Sequence, residues 1–418
     1  MKLFGFELRR EEKQQQFETV LQRIVAAGGV YSPDGITPEN CMQSPTVQAI
    51  VQAVARRISV SPVHVYEKGQ SNGLETKKKI PNHPVARLLS MPNSWQTRTS
   101  YWYDAASTFV RCGNFYAFKS RGSTGPIRAL LPLPPQSIKP RQDGRNWNVS
   151  YFYYGDDGSQ EYSQDKIHHV RGPARNFLEG DSPVSDVRMA IAMEIAAERY
   201  GWSFFENGAV PLQFLQYAQG SKGFKDEAAE KTFIDSFQAA FTGSKRHRSF
   251  LLPKGIEPGT TVSIENDKAQ FLETRKYQRT VIAGAFGVPP HLVGDLERAT
   301  FNNVEQQDSD FTLNVVMPVA QAFESAMERD LLTDDDRRGG VVIRFNLDSI
   351  LRADFKSRQE GLQIQRSNGV LSANEWREID GKNPIDDENG GSDYIRPANM
   401  LVAGEEPEAT MPDPSEAA

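Results

Sequence analysis

Residues 183–207 constrain this chain more than any other stretch. Ser182 is a good N-cap, Pro183 a good first helical residue and Gly208 a stop, so a helix of roughly 24 residues spans about 36 Å. Val187, Ile191 and Ile195 mark one stripe on it, while Met189, Met193 and Tyr200 mark another. A helix that is apolar on two faces needs neighbours on two sides. A second helix, about 268–286, is halted by Gly287, Pro289 and Pro290. Between them, 209–267 is short and mixed: strand-like PLQFLQYA, helix-like DEAAEKTFIDSFQAAF, strand-like RSFLLP and TVSIE. Two rods thus lead out to, and back from, a small distal module. One such pair cannot bury itself, and side-by-side copies in a ring would supply the missing neighbours.

The region before the rods reads as α+β. Val47, Ile50, Val51, Val54 and Ile58 recur at helical steps after Thr46 or Ser44, and VHVYEK follows as a strand. His83–Ser90 and Ser100–Arg111 read as helices; 114–120, 127–133, 147–154 and 167–171 read as strands. Trp147, Val149, Tyr151 and Tyr153 are placed on one face by their period of two. After the rods, a long helix from about Asn303 to Leu332 carries Phe311, Val315, Val319, Phe323 and Leu331, with Pro318 expected to kink it. The strand VVIRFNLD, a helix near 353–366 and a helix opened by the capping box Ser372–Glu375 complete the ordered part. The first 40 or so residues read as a mobile arm. The stretch from Gly404 to Ala418, with five acidic residues, three prolines and no base, reads as a disordered acidic tail.

Composition excludes several classes. No apolar run approaches the ~20 residues of a membrane span, and the opening MKLFGFELRREEK lacks the apolar core of a signal peptide. Two cysteines, Cys41 and Cys112, exclude a disulfide framework and point to a reducing cytoplasm. The net charge of -6 argues against a tight grip on phosphates, although not against a surface that DNA slides past.

Motifs for chemistry are tested against plainer readings. Gly69-Gln-Ser-Asn-Gly73 fits a nucleophile elbow around Ser71, but LETKKKIPNHP offers no following helix, so it reads as a hairpin turn. The six histidines show no ligand spacing; adjacent His168 and His169 point to opposite faces of a strand. Asp334–Asp336 before Arg337 and Arg338 reads as a solvated loop. No GxxxxGK[ST] loop is present, so any energy-driven work here relies on another protein's nucleotide site. No cofactor or metal is expected. The densest basic cluster of the distal module is Lys245, Arg246 and Arg248, read as a solvated face or a contact for DNA or an acidic partner.

Several ordered segments together resemble the portal (head-to-tail connector) proteins of long-tailed double-stranded DNA bacteriophages. They are NHPVARLLSMPNSWQT, GNFYAF, IRALLPLPPQSIKP, the run GVPPHLVGDLERATFNNVEQQ (287–307) ahead of a helix with an internal proline, and LRADFKSRQEGLQIQRSNGVLSANEWREIDGKNPI. The resemblance spans about 45–395. It implies an α+β ring subunit: an arm (1–40), an α/β wing (41–182), stem helix one (183–208), a small mixed clip (209–267) and stem helix two (268–287). A tunnel loop region (288–302), a long kinked helix with a wing strand (303–352), a helical crown (353–400) and the acidic tail (401–418) follow.

The resemblance further implies a non-enzymatic late protein of the virion, assembled in the bacterial host cytoplasm. Its homo-oligomeric ring, usually dodecameric, sits at one capsid vertex and passes double-stranded DNA during packaging and ejection. Its partners would be the terminase large subunit, the major capsid protein and scaffold, and a neck or adaptor protein, with no membrane. Asp295, Leu296, Glu297, Arg298, Ala299 and Thr300 would form the tunnel loop. Their mixed signs leave open whether Arg298 or Glu297 meets DNA. The two stem stripes would pack between subunits. The rival readings are a serine hydrolase using Ser71 and a ring-forming scaffold without DNA.

Overall fold

The first helix begins where the sequence supplies a cap. Ser44 accepts from the Val47 amide and Pro45 takes the first position of α1 (Pro45–Val60). Its stripe of Val47, Ile50, Val51, Val54 and Ile58 is fully buried. The computed structural model describes residues 35–71, 74–122, 125–156, 158–206, 215–221, 223–241, 252–258, 265–296, 301–347, 355–380 and 382–395. After α1 come β1 (Val63–Ser71), β2 (Leu74–Lys79), α2 (Pro84–Ser90), α3 (Arg98–Cys112), β3 (Asn114–Arg121), β4 (Ile127–Leu133), β5 (Ile138–Gln142), β6 (Val149–Gly155), β7 (Gly158–Ser163) and β8 (Ile167–Arg171). Then follow α4 (Pro183–Asp186), α5 (Arg188–Glu206), β9 (Leu215–Tyr217), α6 (Glu227–Phe241), β10 (Ile256–Pro258) and α7 (Glu265–Ala285). The last elements are α8 (Phe301–Phe311), α9 (Met317–Leu331), α10 (Asp334–Arg338), β11 (Val341–Phe345), α11 (Phe355–Ser367) and α12 (Ala373–Ile379).

The strands form small antiparallel sheets in the orders β11-β1-β2, β4-β3-β8, β5-β6-β7 and β10-β9. Because β11 pairs with β1 (Val63 opposite Phe345), the first sheet is completed by residues about 280 positions away in sequence. The core between the sheets and helices is aromatic. Trp102 packs edge-on to Tyr101, Phe323 and Phe345 at 5.3, 5.8 and 5.4 Å, and Phe115 meets Tyr101 and Phe323 at 6.0 and 5.9 Å. Such pairs add to the area that these rings remove from water.

The chain divides after Leu347 into two compact units. In the second unit the capping box forms: Ser372 accepts from the Glu375 amide, and Glu375 returns to the Ser372 amide at 2.7 Å. Asn374 clamps Ile385 through both amide groups, at 2.8 and 2.7 Å.

Several expectations need correcting. The helix over 183–207 is two helices, broken at Val187 (φ -111°, ψ 16°). Ser182 makes no side-chain cap bond; its hydroxyl is oriented toward the Arg111 carbonyl, to which it donates at 2.6 Å. In the long helix the irregularity precedes the proline: Thr312–Val316 form a π turn between α8 and α9. Pro318 cannot donate to the carbonyl four residues back, and a widened turn absorbs that loss. Trp147 leaves the β6 face, with φ at 61° and 71% exposure. Asp334–Arg338 is a helical turn, not a loop, capped by Thr333 and Asp336. Strands β5, β7 and β10 carry too little apolar alternation to stand out in the sequence. RSFLLP and TVSIE fall largely outside the described residues.

Candidate functional site

The rods expected from the sequence are α5 and α7. Met193 Sδ receives Gln278 Nε2 at 3.8 Å, and Glu198 pairs with Arg275 at 2.9 Å. The residue numbers rise on one helix as they fall on the other, so the pair is antiparallel. Ile191, Ala192, Ile195, Ile282 and Ala283 are buried within the one chain, and Val187 is half-buried against the same core. On the opposite side of α5, Met189 and Met193 are 64% and 50% exposed. Tyr277 on α7 is 66% exposed and Trp202 near the end of α5 is 71% exposed. The Tyr200 side chain lies outside the described residues. One stripe is therefore buried inside the subunit, while Met189 and Met193 stay at least half exposed even though Met193 touches Gln278 of α7.

The buried stripe holds a carboxylate that the sequence reading passed over. Glu194 is 6% exposed and accepts from both Ser44 Oγ and Thr46 Oγ1. It thereby fastens α5 to the first turn of α1, where Ser44 is also the cap. A charged residue one turn from Ile191 and beside Ile195 was the available signal, since a buried carboxylate must find donors.

The root of the 288–302 segment is equally well fixed. Gly287 takes φ 66° as α7 ends, and Val288 and Val293 are buried. The Asp295 amide donates to the Pro290 carbonyl at 3.0 Å, and Leu296 is 66% exposed. Beyond the loop, α8 is held from two directions. His291 Nδ1 lies 2.9 Å from Gln307 Oε1, while Arg57 pairs with Asp308 and stands 4.4 Å over the Phe311 ring. Glu297, Arg298, Ala299 and Thr300 lie outside the described residues, as do Lys245, Arg246 and Arg248.

The two strand histidines are structural. His168 Nδ1 donates to Asp330 at 2.9 Å, and His169 lies between Tyr151 OH (3.2 Å) and Asn114 Oδ1 (3.1 Å), stacked on Tyr116 at 4.2 Å. Burial, with the nearby Arg329 and His168 charges, pushes the His169 pKa down to about 3. Burial alone would raise Asp330, but hydrogen bonds from Arg329 and His168 outweigh it and hold this carboxyl well below its usual range. Lys119 donates to the Asp330 carbonyl at 3.1 Å, and burial pulls its pKa down. Among the described residues no group of three or more His, Cys, Asp or Glu could hold a metal ion. Ser71 pairs with Leu74 across a hairpin, and the strand after it removes the helix that a nucleophile elbow needs.

Residues 45–381 match the family profile described as phage portal protein. The chain belongs to the phage portal protein family. A portal protein of Enterobacteria phage HK97 is 30% identical over 383 residues, 90% of this chain and 87% of the relative. A probable portal protein of Streptomyces phage phiC31 is 30% identical over 403 residues, 92% and 83% of the two chains. Among solved structures, a chain of the native gene transfer agent virion shares the fold with a TM-score of 0.55 at 21% identity, covering 83% of this chain and 94% of its own. An HK97-family phage portal protein from Corynebacterium diphtheriae does so at 0.54 and 12% identity, covering 75% and 97%. Among the described residues no helix is long and apolar enough to cross a membrane.

Proposed function

We propose that copies of this chain close into a ring at one capsid vertex, through which double-stranded DNA enters and leaves. The observation that carries this reading is the half-satisfied stem: Ile191 and Ile195 are buried within the chain, whereas Met189 and Met193 face outward from the same helix. Apolar faces of this kind are covered by association. In a ring they meet the next subunit's stem, so the inter-subunit role narrows to Met189, Met193 and the neighbouring Tyr277. The neck of a native gene transfer agent particle, computed with C12 symmetry, contains a chain of this fold and supports a count of about twelve.

In this reading the 288–302 segment is the tunnel loop, and its rigid root at Val288, Val293 and the His291–Gln307 contact holds it toward the channel. The clip around α6 docks the packaging terminase and later a neck or adaptor protein. The major capsid protein and scaffold surround the ring. The subunit is a conduit and not an enzyme, and a net charge of -6 suits a wall that DNA slides past. Replacing Leu296–Arg298 by glycines should leave ring yield intact and impair packaging or DNA retention in an infection complementation assay. Normal packaging by that variant would remove the tunnel-loop assignment. Rings that form but leave terminase ATPase unaffected would favour a scaffold without DNA.

A further inference from the structure

The outer face of the β11-β1-β2 sheet carries lysines that the subunit leaves unmatched. Residues directly opposite each other in an antiparallel pair share a face. Val65, Ile343 and Phe345 turn one face into the core, and at the exposed end of that face Glu67 stands opposite Lys78, an acid facing a base. The other face is built differently. Lys68 stands opposite Lys77 and Tyr66 opposite Lys79, with Lys77 and Lys79 about 7 Å apart along β2. All three lysines are exposed. Like charges set directly opposite each other weaken a sheet.

Protection of a free edge does not account for this group. Lysines on β2 keep its open edge from pairing, but Lys68 belongs to β1, whose two edges are taken by β2 and β11. Nor does the chain neutralise it. Among the described residues no carboxylate stands within ion-pair distance of Lys68, Lys77 or Lys79. Glu75 shares their face at one end, opposite Gln70. At the other end Arg344 is paired with Glu324 and Glu328. Burial pushes the Glu324 pKa up, against the pull of the Phe345 amide, of Arg344 and, last, of Lys77. That carboxylate accepts from the Phe345 amide at 2.7 Å and faces Arg344 at 3.7 Å, so it is already committed.

We infer that this face is a contact for double-stranded DNA, made through the phosphates to Lys68, Lys77 and Lys79. The inference rests on the reading that DNA meets this protein, and it adds a contact outside the 288–302 segment. The make-up of the face selects the partner. A protein partner needs an apolar centre, and protein interfaces are poor in lysine. Among the described side chains of β1 and β2 none is a large, exposed apolar one. A phosphate backbone needs only cations in a row and offers a charge about every 1.7 Å of its axis, whatever its sequence. Three lysines neutralise about three phosphates, a light hold that leaves the duplex free to slide.

Fluorescence anisotropy of a short labelled duplex tests this on the full chain, held at one state of assembly. Between about 50 and 200 mM salt the parent's affinity should fall about 40-fold more than that of the triple variant Lys68→Gln, Lys77→Gln and Lys79→Gln, the loss expected for three phosphate contacts. Lys78→Gln, on the other face, should behave like the parent. The triple variant's thermal midpoint should stay at or above the parent's, because the repulsion between Lys68 and Lys77 is gone. A parent that binds no duplex at about 50 mM salt, or a triple variant that keeps the parent's salt dependence, would overturn this contact. Polyglutamate bound more tightly than the duplex would overturn it in favour of an acidic protein partner. A lowered midpoint in the triple variant would overturn it in favour of a structural role for the lysines. Each of these results would leave the conduit reading standing, since that reading fails only if the parent chain forms no rings or its rings package no DNA.

Discussion

The aromatic core and the α5–α7 pair treat apolar side chains differently. In the aromatic core, Trp102, Tyr101, Phe115, Phe323 and Phe345 pack together from four elements, α3, β3, α9 and β11, and each of Trp102, Tyr101 and Phe323 is at most 1% exposed. Its buried charges are likewise met within the chain, as at His168–Asp330 and Arg329–Asp330. In the α5–α7 pair, one face of α5 reaches that standard and the other stops at half exposure. The difference teaches where a subunit ends and an assembly begins. Residues that finish their packing inside the chain set its stability, and residues that do not are available to a neighbour.

Predictions follow from that contrast. The largest effect belongs to the aromatic core: Trp102→Ala should cost about 3–5 kcal/mol in denaturant unfolding of the subunit, because it empties the centre of that cluster. A loss below about 1 kcal/mol would mean that this cluster is not the stabilising core. Next comes the clasp between the regions. Glu194→Ala leaves two buried hydroxyls, of Ser44 and Thr46, without their acceptor, and should cost about 2–3 kcal/mol. Hydrogen exchange at 44–47 should accelerate with it, whereas Glu194→Gln should retain most of both.

Acid should separate the regions too. His169 is held neutral, with its pKa down to about 3, so the unfolded chain takes up its proton first as pH falls below about 6.5. Stability is therefore complete above that pH and declines by roughly 1.4 kcal/mol per pH unit toward pH 3. Asp330, held below its usual range, adds a loss of the same sign below about pH 4. His169→Gln should flatten the slope between pH 6 and 4, as read from denaturation midpoints. An unchanged slope would place the acid sensitivity elsewhere. The smallest effect on the free subunit should come from Met189→Ser with Met193→Ser, within about 0.5 kcal/mol, even though ring yield falls.

Much of the fold is legible in the sequence because local chemistry decides it. Ser44 with Pro45, the Ser372–Glu375 box and the hairpin at Ser71 are each fixed by neighbours within a few residues. What escaped depends on distant partners. Ser182 looks like a cap, yet its hydroxyl is oriented toward the distant Arg111 carbonyl, and α4 ends at Asp186 for reasons that no local pattern carries. The π turn is seeded by Pro318 but lies at Thr312–Val316, one turn earlier than a proline kink suggests. Of the candidate site, the two stripes on α5 were legible from spacing. Which one remains exposed was not, because that depends on α7 and on Glu194 reaching α1.

The central claim is that Met189 and Met193 are finished by another copy of the chain. Negative-stain imaging with native mass, on the parent and on Met189→Asp with Met193→Asp, tests it most directly. The account predicts closed rings of about twelve subunits around a channel for the parent, and a folded subunit near 46.8 kDa for the variant. Rings that assemble equally well with both aspartates in place would contradict it.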